Sequence, residues 1–305
     1  MTTVKKRKKI DPMRVLFLIC FTILPVVHFL VMYVFVNLNS FAMGFQQNAG
    51  GKVVWTLANF SRFFSELTVA DSPIMEALKN TFLTFGINLI MFPIGILVSY
   101  FLYKKIWCYK FFRITFFLPS ILLSVIVINI YREFLMADTV TSFIQNLLHL
   151  DYQPELLAQY EFANKAVLIC MIWLAFPGNL IIWGGTFSRI PDAVLDAAKI
   201  DGVSWWQEML KIIIPMVWPT FALTLMLMFT GIFGSTGPVF LLTGGNWGTQ
   251  TLNSWMYIQV YEAGSPLSNK LNYLSAVGLM ISAVAILIAV VIRRMTSRLF
   301  GDAQY

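Results

Sequence analysis

Residues 190–215 read IPDAVLDAAKIDGVSWWQEMLKIIIP and lie between two long apolar runs. Pro191 suits the first position of a helix, which we predict to end near Gly202, because glycine tolerates a positive φ. Ser204 and Gln207 have the spacing of a capping box, which predicts a second helix directly afterwards. We therefore predict that the segment folds as helix, turn, helix.

The first of these helices has a face of small side chains, formed by Ala193, Ala197 and Ala198. Another protein surface can approach such a face closely. On composition alone, an amphipathic connector lying at a membrane surface is the commoner explanation of a segment like this. The choice between a connector and a docking element depends on the rest of the chain.

The rest of the chain is too apolar for a protein that folds in water. Hydrophobic residues make up 58% of the 305 residues and charged residues 12%, against roughly 45–50% and 25% in soluble domains. Six apolar stretches are each long enough to cross a hydrocarbon core roughly 30 Å thick as a helix. The predicted spans are 15–36, 81–103, 114–131, 166–187, 212–233 and 274–292.

The basic residues give these spans an orientation. Sixteen of the 22 lysines and arginines lie before the first span, after the sixth, or in the loops that follow the second and fourth spans. Cytoplasmic loops carry an excess of Lys and Arg, so both termini are predicted to be cytoplasmic. The net charge of +7 is thus explained by topology, and a nucleic-acid partner is not expected.

Several function classes are disfavoured by what the spans and loops lack. Ion-coupled carriers usually bind the ion with carboxylates or histidines inside the membrane, and these spans hold almost no charge. Residues 50–53 approach a P-loop but lack its first glycine and the Ser or Thr after Lys52. Cys20, Cys108 and Cys170 have no metal-site spacing. We expect no catalytic site, no metal site and no cofactor in this chain.

The segment at 190–215 resembles the EAA loop of the membrane subunits of binding-protein-dependent ABC importers. Asp196, Ala197 and Ala198 match its Glu-Ala-Ala, with Asp in place of Glu, and residues 201–202 match its Asp-Gly pair. Ile212 and Pro215 match its ending, while Met209 stands where the family often has Phe. The twenty-residue spacing, between the expected spans and on the expected side, makes the resemblance specific.

Shorter matches extend the resemblance over nearly the whole chain and point to the carbohydrate-importer branch. They are Asn80-Thr81, the stretch 112–119 before and within the third span, Trp173 with Gly178-Asn179, and the stretch 242–245. The extra span before a shared core of five is likewise typical of that branch.

The resemblance implies an all-α polytopic membrane protein with the type I ABC importer transmembrane domain. This domain has a MetI-like core of five helices, preceded here by one N-terminal helix. The implied organisation is a basic cytoplasmic tail (1–14), a first transmembrane helix (15–36), the transport domain (77–293) with its coupling loop (190–215), and a cytoplasmic tail (294–305).

The implied function is that of a sugar or oligosaccharide permease in a prokaryotic cell membrane. Its implied partners are a second permease, usually a different chain, two ATPase subunits that hold ATP and Mg²⁺, an extracellular solute-binding protein, a carbohydrate and membrane lipid. A polyol or glycerol phosphate remains an alternative cargo. An ion-coupled secondary carrier and a membrane scaffold remain alternative classes.

Two sets of site residues follow from this reading. The residues expected to couple the chain to the ATPase are Ala193, Asp196, Ala197, Ala198, Asp201 and Gly202. The polar or aromatic residues expected along the substrate path are Asn129, Asn179, Trp183, Thr220, Thr224 and Thr230. Asn and Thr in spans often bond neighbouring helices instead, and Trp183 has an alternative role as an interfacial anchor. The turn at 243–249, with Trp247, is expected to face the path or the docked binding protein.

Overall fold

The computed structural model describes residues 12–70, 72–264 and 269–300. Most of the predicted basic tail and the end of the predicted C-terminal tail lie outside these residues. The described helices are α1 (Pro12–Phe29), α2 (Val36–Gly44), α3 (Ala58–Thr68), α4 (Pro73–Tyr103), α5 (Tyr109–Ile121), α6 (Ser124–Met136), α7 (Asp138–Leu148), α8 (Tyr160–Phe187), α9 (Asp192–Ile200), α10 (Trp205–Gln207), α11 (Ile214–Met216), α12 (Trp218–Thr230), α13 (Val239–Leu242), α14 (Leu252–Glu262) and α15 (Asn269–Phe300). Two π-helical segments, Leu30–Phe35 and Glu208–Ile213, join α1 to α2 and α10 to α11, and the strands are β1 (Gln46–Ala49) and β2 (Lys52–Trp55).

The all-α membrane architecture predicted from the sequence is confirmed. Four helical stretches are long and apolar enough to span a membrane: Leu16–Gly44, Pro73–Tyr103, Tyr160–Phe187 and Asn269–Thr296. The other two predicted spans are bent pairs of helices, and counting each pair as one span gives six.

The bends correct the expectation of continuous helices at 114–131 and 212–233. Between α11 and α12 the chain turns by 81° at Val217. Two residues later, Pro219 has no N–H to continue the preceding helix. Between α5 and α6 it turns by 104° at two extended residues, Leu122 and Leu123. Leucine favours helix, so the second break is not predictable from local sequence.

The chain divides into two compact units, of which the first contains residues 1–63 and 263–279. Its described part includes α1, α2, the antiparallel hairpin of β1 and β2, and the start of α15. The hairpin turns at Gly50 and Gly51, whose φ angles are +57° and +83°. The buried Asn59 amide donates to the carbonyl oxygens of Gly44 and Gln46, both at 3.0 Å, and so ties α3 to the hairpin.

The second unit contains residues 64–262 and 280–305 and has two buried apolar clusters. The first cluster joins α4, α8, α9 and the segment leading to α12; its members are Phe92, Ile96, Tyr100, Trp183, Phe187, Ile190, Leu195, Met209, Ile213 and Val217. The second joins α6, α8 and α13; its members are Ile128, Leu135, Leu156, Leu157, Phe162, Ala166, Val167, Cys170, Val239 and Leu242. Helix α4 packs along α8, and each contributes to the site described next.

Candidate functional site

The segment at 190–215 has the predicted helix–turn–helix form. Helix α9 starts at Asp192, one residue later than expected, because Pro191 occupies the N-cap position. It ends before Gly202, whose φ of +68° reverses the chain. The capping box forms as predicted: the Gln207 N–H donates to the Ser204 hydroxyl at 3.4 Å, and the Ser204 N–H donates to the Gln207 side chain at 3.3 Å.

Helix α9 has one face packed into the protein and one face exposed. Leu195 and Ala198 are buried, and Leu195 belongs to the cluster that includes α4 and α8. Ala193 and Ala197 are exposed. Ile200 is exposed by 86%, which is unusual for a large apolar residue on a loop helix. Of the three predicted alanines, only two therefore lie on the free face.

The exposed face also has an ion pair. Lys199 Nζ lies 2.9 Å from Asp196 Oδ1, one helical turn away, and both side chains are about two-thirds exposed. The hydrogen bond and the positive charge of Lys199 lower the pKa of Asp196 below its ordinary value, and Asp196 in turn raises the pKa of Lys199. Asp201 and Gly202 are likewise exposed at the end of the helix. The free face of α9 thus presents small, apolar and charged groups together.

A partly buried ion pair connects this loop to the end of α4, and the sequence reasoning missed it. Lys104 Nζ lies 2.5 Å from Glu208 Oε1, and the Glu208 side chain is 7% exposed. Lys104 caps the C-terminus of α4, while Glu208 begins the π-helical segment after the capping box. The available signal was Glu208, an acidic residue just before the apolar run of an expected span. Its partner, Lys104, lies far away in the sequence.

A cavity of about 340 Å³ lies between α4, α8 and α12. Asn88, Asn179 and Thr224 line it, beside apolar side chains such as Phe92 and Met228. The Asn179 amide donates to the Ala175 carbonyl at 3.3 Å and the Thr224 hydroxyl to the Thr220 carbonyl at 2.8 Å. Small-molecule sites typically have roughly 300–1,000 Å³ and a few placed polar groups in apolar walls. The cavity thus brings together two of the predicted path residues, Asn179 and Thr224. It adds Asn88, which lies in the predicted second span and was not among the predicted path residues.

The other predicted path residues do not line this cavity. Asn129 is exposed on α6, and Thr230 donates its hydroxyl to the Met226 carbonyl at 2.9 Å. Thr220 is half-buried at the start of α12. Trp183 is fully buried and packs against Phe92 in the first cluster, and its indole nitrogen has no hydrogen-bond partner among the residues that the structure describes. In this conformation the Trp183 ring is enclosed by the first cluster, so it is not available to stack on a ligand.

The turn at 243–249 is held firmly to the N-terminal part of α4. The buried Asn80 amide donates to the carbonyl oxygens of Gly248 (2.7 Å) and Gln250 (2.9 Å), and Asn164 of α8 donates to Asn80 Oδ1 at 2.9 Å. Trp247, which is 40% exposed, lies edge-to-face on the ring of Tyr160 at 5.7 Å. The turn is therefore a fixed structure with one partly exposed aromatic side chain.

The chain is similar to known membrane transport proteins. Residues 91–300 match the family described as binding-protein-dependent transport system inner membrane component. The chain is 24% identical to the arabinooligosaccharides transport system permease protein AraP of Bacillus subtilis, over 92% of this chain and 89% of that protein. It is 28% identical to the alpha-glucoside transport system permease protein AglF of Rhizobium meliloti, over 41% of this chain and 37% of that protein.

A solved structure shares the fold. The bacterial alginate ABC transporter, crystallised in complex with an alginate pentasaccharide-bound periplasmic protein, has a chain that superposes with a TM-score of 0.74. The match covers 93% of this chain and 95% of that chain, at 21% sequence identity.

Proposed function

Because the chain belongs to the family of binding-protein-dependent transport system inner membrane components, we propose that it imports a sugar or oligosaccharide, delivered by a solute-binding protein outside the cell. The observation that carries the proposal is the family match over residues 91–300, which includes α9 with its exposed face. As a membrane component of a transport system, the chain is not an enzyme. ATP and Mg²⁺ belong to two partner ATPase subunits, and a second permease, a different chain in our proposal, completes the pathway.

Coupling to the ATPase is assigned to the free face of α9. Ala193 and Ala197 let an ATPase groove approach closely, Asp196 and Asp201 contact its rim, and Gly202 sets the angle of the following helix. Ala198 acts from the other side, where it seats α9 on the protein. Ile200 is the added apolar contact, since burying a large exposed side chain is a typical source of interface energy.

The movement of α9 reaches the spans through two connections. Leu195 packs in the cluster that contains residues of α4 and α8, and the Lys104–Glu208 pair ties the loop to α4. When ATP closes the ATPase dimer, α9 moves with it, and the packed helices follow as a rigid body. Alternating access requires this kind of stiff link between the motor and the spans.

The cargo is assigned to the sugars on two grounds. AraP and AglF are named as permeases for arabinooligosaccharides and alpha-glucosides, and the lining of the 340 Å³ cavity includes two amide residues and a threonine, whose free acceptor oxygens suit sugar hydroxyls. Asn179, Thr224 and Asn88 are the proposed contacts in this conformation. For Asn129, Trp183, Thr220 and Thr230, a path role requires a rearranged conformation during transport.

The proposed topology places both termini in the cytoplasm. The support is the distribution of basic residues, which concentrates on the side of α9 and of the turn between α4 and α5. Cys108 lies exposed in that turn, whereas Cys170 is buried. In a Cys20→Ser background, a membrane-impermeant maleimide should label Cys108 in inside-out vesicles only. Labelling of Cys108 in right-side-out vesicles would contradict the proposed topology.

The function is tested by reconstituting the chain with the second permease, the ATPase and the binding protein in liposomes. We expect ATP-dependent uptake of a labelled arabinooligosaccharide or alpha-glucoside. Ala197→Trp should weaken ATPase association about 30-fold, as losing an interface hot spot does, while Ala197→Ser should keep it. Uptake that persists without the ATPase would refute the proposal.

A further inference from the structure

A second cavity, of about 190 Å³, lies at the end of the bundle near the α4–α5 turn. It is enclosed by the C-terminal end of α4, the start of α5 and the C-terminal end of α8. Its polar lining residues include Tyr103, Lys105, Tyr109, Arg113 and Ser188. It is separate from the 340 Å³ cavity, since the described lining residues of the two cavities do not overlap. We call it the rim cavity.

The chemistry of the rim cavity is that of an anion site. Lys105 and Arg113 line the same small volume, and none of its lining residues that the structure describes is a carboxylate. Across the described ranges, neither cation pairs with an acidic side chain; Arg113 instead lies 5.8 Å from the centre of the Phe117 ring. Two cations beside hydroxyl donors match the oxygens of a phosphate group, which accepts several hydrogen bonds at once.

The surroundings of the rim cavity indicate where the phosphate comes from. Trp107, in the turn between Lys105 and Arg113, is 89% exposed, and Phe111 and Ile114 on α5 are 65% and 69% exposed. Exposed aromatic residues beside basic residues at the end of a span mark the level of the lipid headgroups. Basic pockets between spans on the cytoplasmic side bind anionic lipid headgroups. A lipid here would place its phosphate between the cations and its acyl chains along the exposed apolar side of α5.

We propose that the rim cavity binds the phosphate of an anionic phospholipid, with Lys105 and Arg113 as its charge partners. The bound lipid connects the ends of α4, α5 and α8 beside the loop that carries α9. The choice of leaflet rests on the proposed topology, but binding at the rim cavity does not, so the Cys108 labelling result and the lipid result can fail separately.

The test measures phospholipid retained by the purified complex. The permease is assembled with its partner subunits in nanodiscs of phosphatidylcholine mixed with phosphatidylglycerol, extracted into detergent, and analysed for retained lipid by mass spectrometry. Lys105→Gln and Arg113→Gln should each reduce retained phosphatidylglycerol about fivefold, since one basic residue near an anionic surface contributes about 1 kcal/mol. Retained phosphatidylcholine should not change.

The matched control is Lys110→Gln, because Lys110 is exposed at the start of the same helix but does not line the cavity. It should retain phosphatidylglycerol like the unmodified complex. Equal losses in all three variants would show a general surface-charge effect, and no loss in any of them would show no site; either result overturns the proposal. Displacement of the lipid by inorganic phosphate or glycerol phosphate would assign the cavity to soluble anions and overturn it as well.

A variant that fails to assemble is replaced by a milder one. Tyr109→Phe removes one hydroxyl and no charge, so the fold should be kept. It should lower retained phosphatidylglycerol by less than either charge variant but measurably below the Lys110→Gln control. Retention equal to that control would count against the site.

Discussion

Two loops are anchored at the two ends of α4, and they are anchored by different chemistry. At the C-terminal end, the loop that carries α9 is held by a partly buried ion pair, Lys104 with Glu208, and by apolar packing. Near the N-terminal end, the turn at 243–249 is held by neutral amide hydrogen bonds from Asn80. Helix α4 has 31 residues, so it links these points over about 45 Å.

The difference follows from the backbone of each loop. In the α9 loop, helical hydrogen bonds and the Ser204–Gln207 capping box satisfy backbone groups within the loop itself, so its contacts with α4 mainly fix its position. The turn at 243–249 has an irregular backbone with positive φ at Gly244, Gly245, Trp247 and Gly248. Its carbonyl groups need external partners when they are buried, and Asn80 supplies them. We therefore expect the Lys104–Glu208 anchor to transmit movement between helices and the Asn80 anchor to fix the conformation of the turn.

The largest expected effect comes from breaking the ion pair on one side. Lys104→Met should lower the free energy of unfolding by about 3 kcal/mol, because it leaves the Glu208 carboxylate buried without its counter-charge. Unfolding can be followed by thiol labelling of the buried Cys170, with Cys20 and Cys108 replaced by serine. ATP-driven uptake should fall with it.

The control for this variant is Lys211→Met, since Lys211 is exposed on the same π-helical segment. It should change stability by less than about 0.5 kcal/mol. The exchange Lys104→Glu with Glu208→Lys should restore most of the loss. If the single variant is as stable as the unmodified chain, the ion pair does not anchor the loop.

The next effect concerns the neutral anchor. Asn80→Ala should cost about 2 kcal/mol, because it leaves two backbone carbonyls and the Asn164 amide without their partner. The same Cys170 labelling assay measures it. Asn253→Ala is the comparison, since it removes one exposed hydrogen bond, to the Gly234 carbonyl, and should cost about 0.5 kcal/mol. An equal loss in both variants would remove the special role of Asn80.

The features that could be predicted from the sequence are those set by neighbouring residues. The Ser204–Gln207 capping box, the end of α9 before Gly202 and four of the six predicted spans depend on local spacing and composition, and each is found. The resemblance of the 190–215 segment to a coupling loop gave the family, which the match over residues 91–300 confirms.

The features that could not be predicted depend on distant partners. Glu208 contacts Lys104 only after α4 and the π-helical segment have packed. In the sequence alone, Lys104 counts only as one of the basic residues that indicate the membrane topology. Residues 50–53 partly match a nucleotide-binding loop in the sequence. In the structure, Gly50 and Gly51 form the turn of the hairpin that runs from Gln46 to Trp55. The break at Leu122 and Leu123 has no local signal, since both residues favour helix.

A smaller effect tests whether α4 is fixed to α8 between its two anchors. At Gly95, a Cβ atom would lie 2.9 Å from the Cβ of Asn179, so Gly95→Ala should force the two helices apart. We expect a loss of about 1 to 2 kcal/mol from overpacking, measured by Cys170 labelling. Gly86→Ala is the matched control on the same helix, because its Cβ would meet open space. It should be neutral or stabilising, and an equal response at both positions would contradict tight packing at Gly95.

The smallest expected effect concerns the exposed pair on α9, Asp196 with Lys199. The pKa of Asp196 is lowered by Lys199, so the pair's contribution to stability is present above the unfolded pKa of Asp196 and is lost as the pH falls through its folded pKa. The pKa of Lys199 is raised, so the contribution is also lost as the pH rises through that folded pKa. The melting temperature of Lys199→Gln should therefore differ slightly from the unmodified value at neutral pH and converge with it in acid. Lys211→Gln should show no such convergence.

The effect should be small because both paired side chains are about two-thirds exposed, so water and salt screen them. A difference at neutral pH as large as that of Lys104→Met would mean that the Asp196–Lys199 pair, rather than the Lys104–Glu208 pair, holds α9 in place.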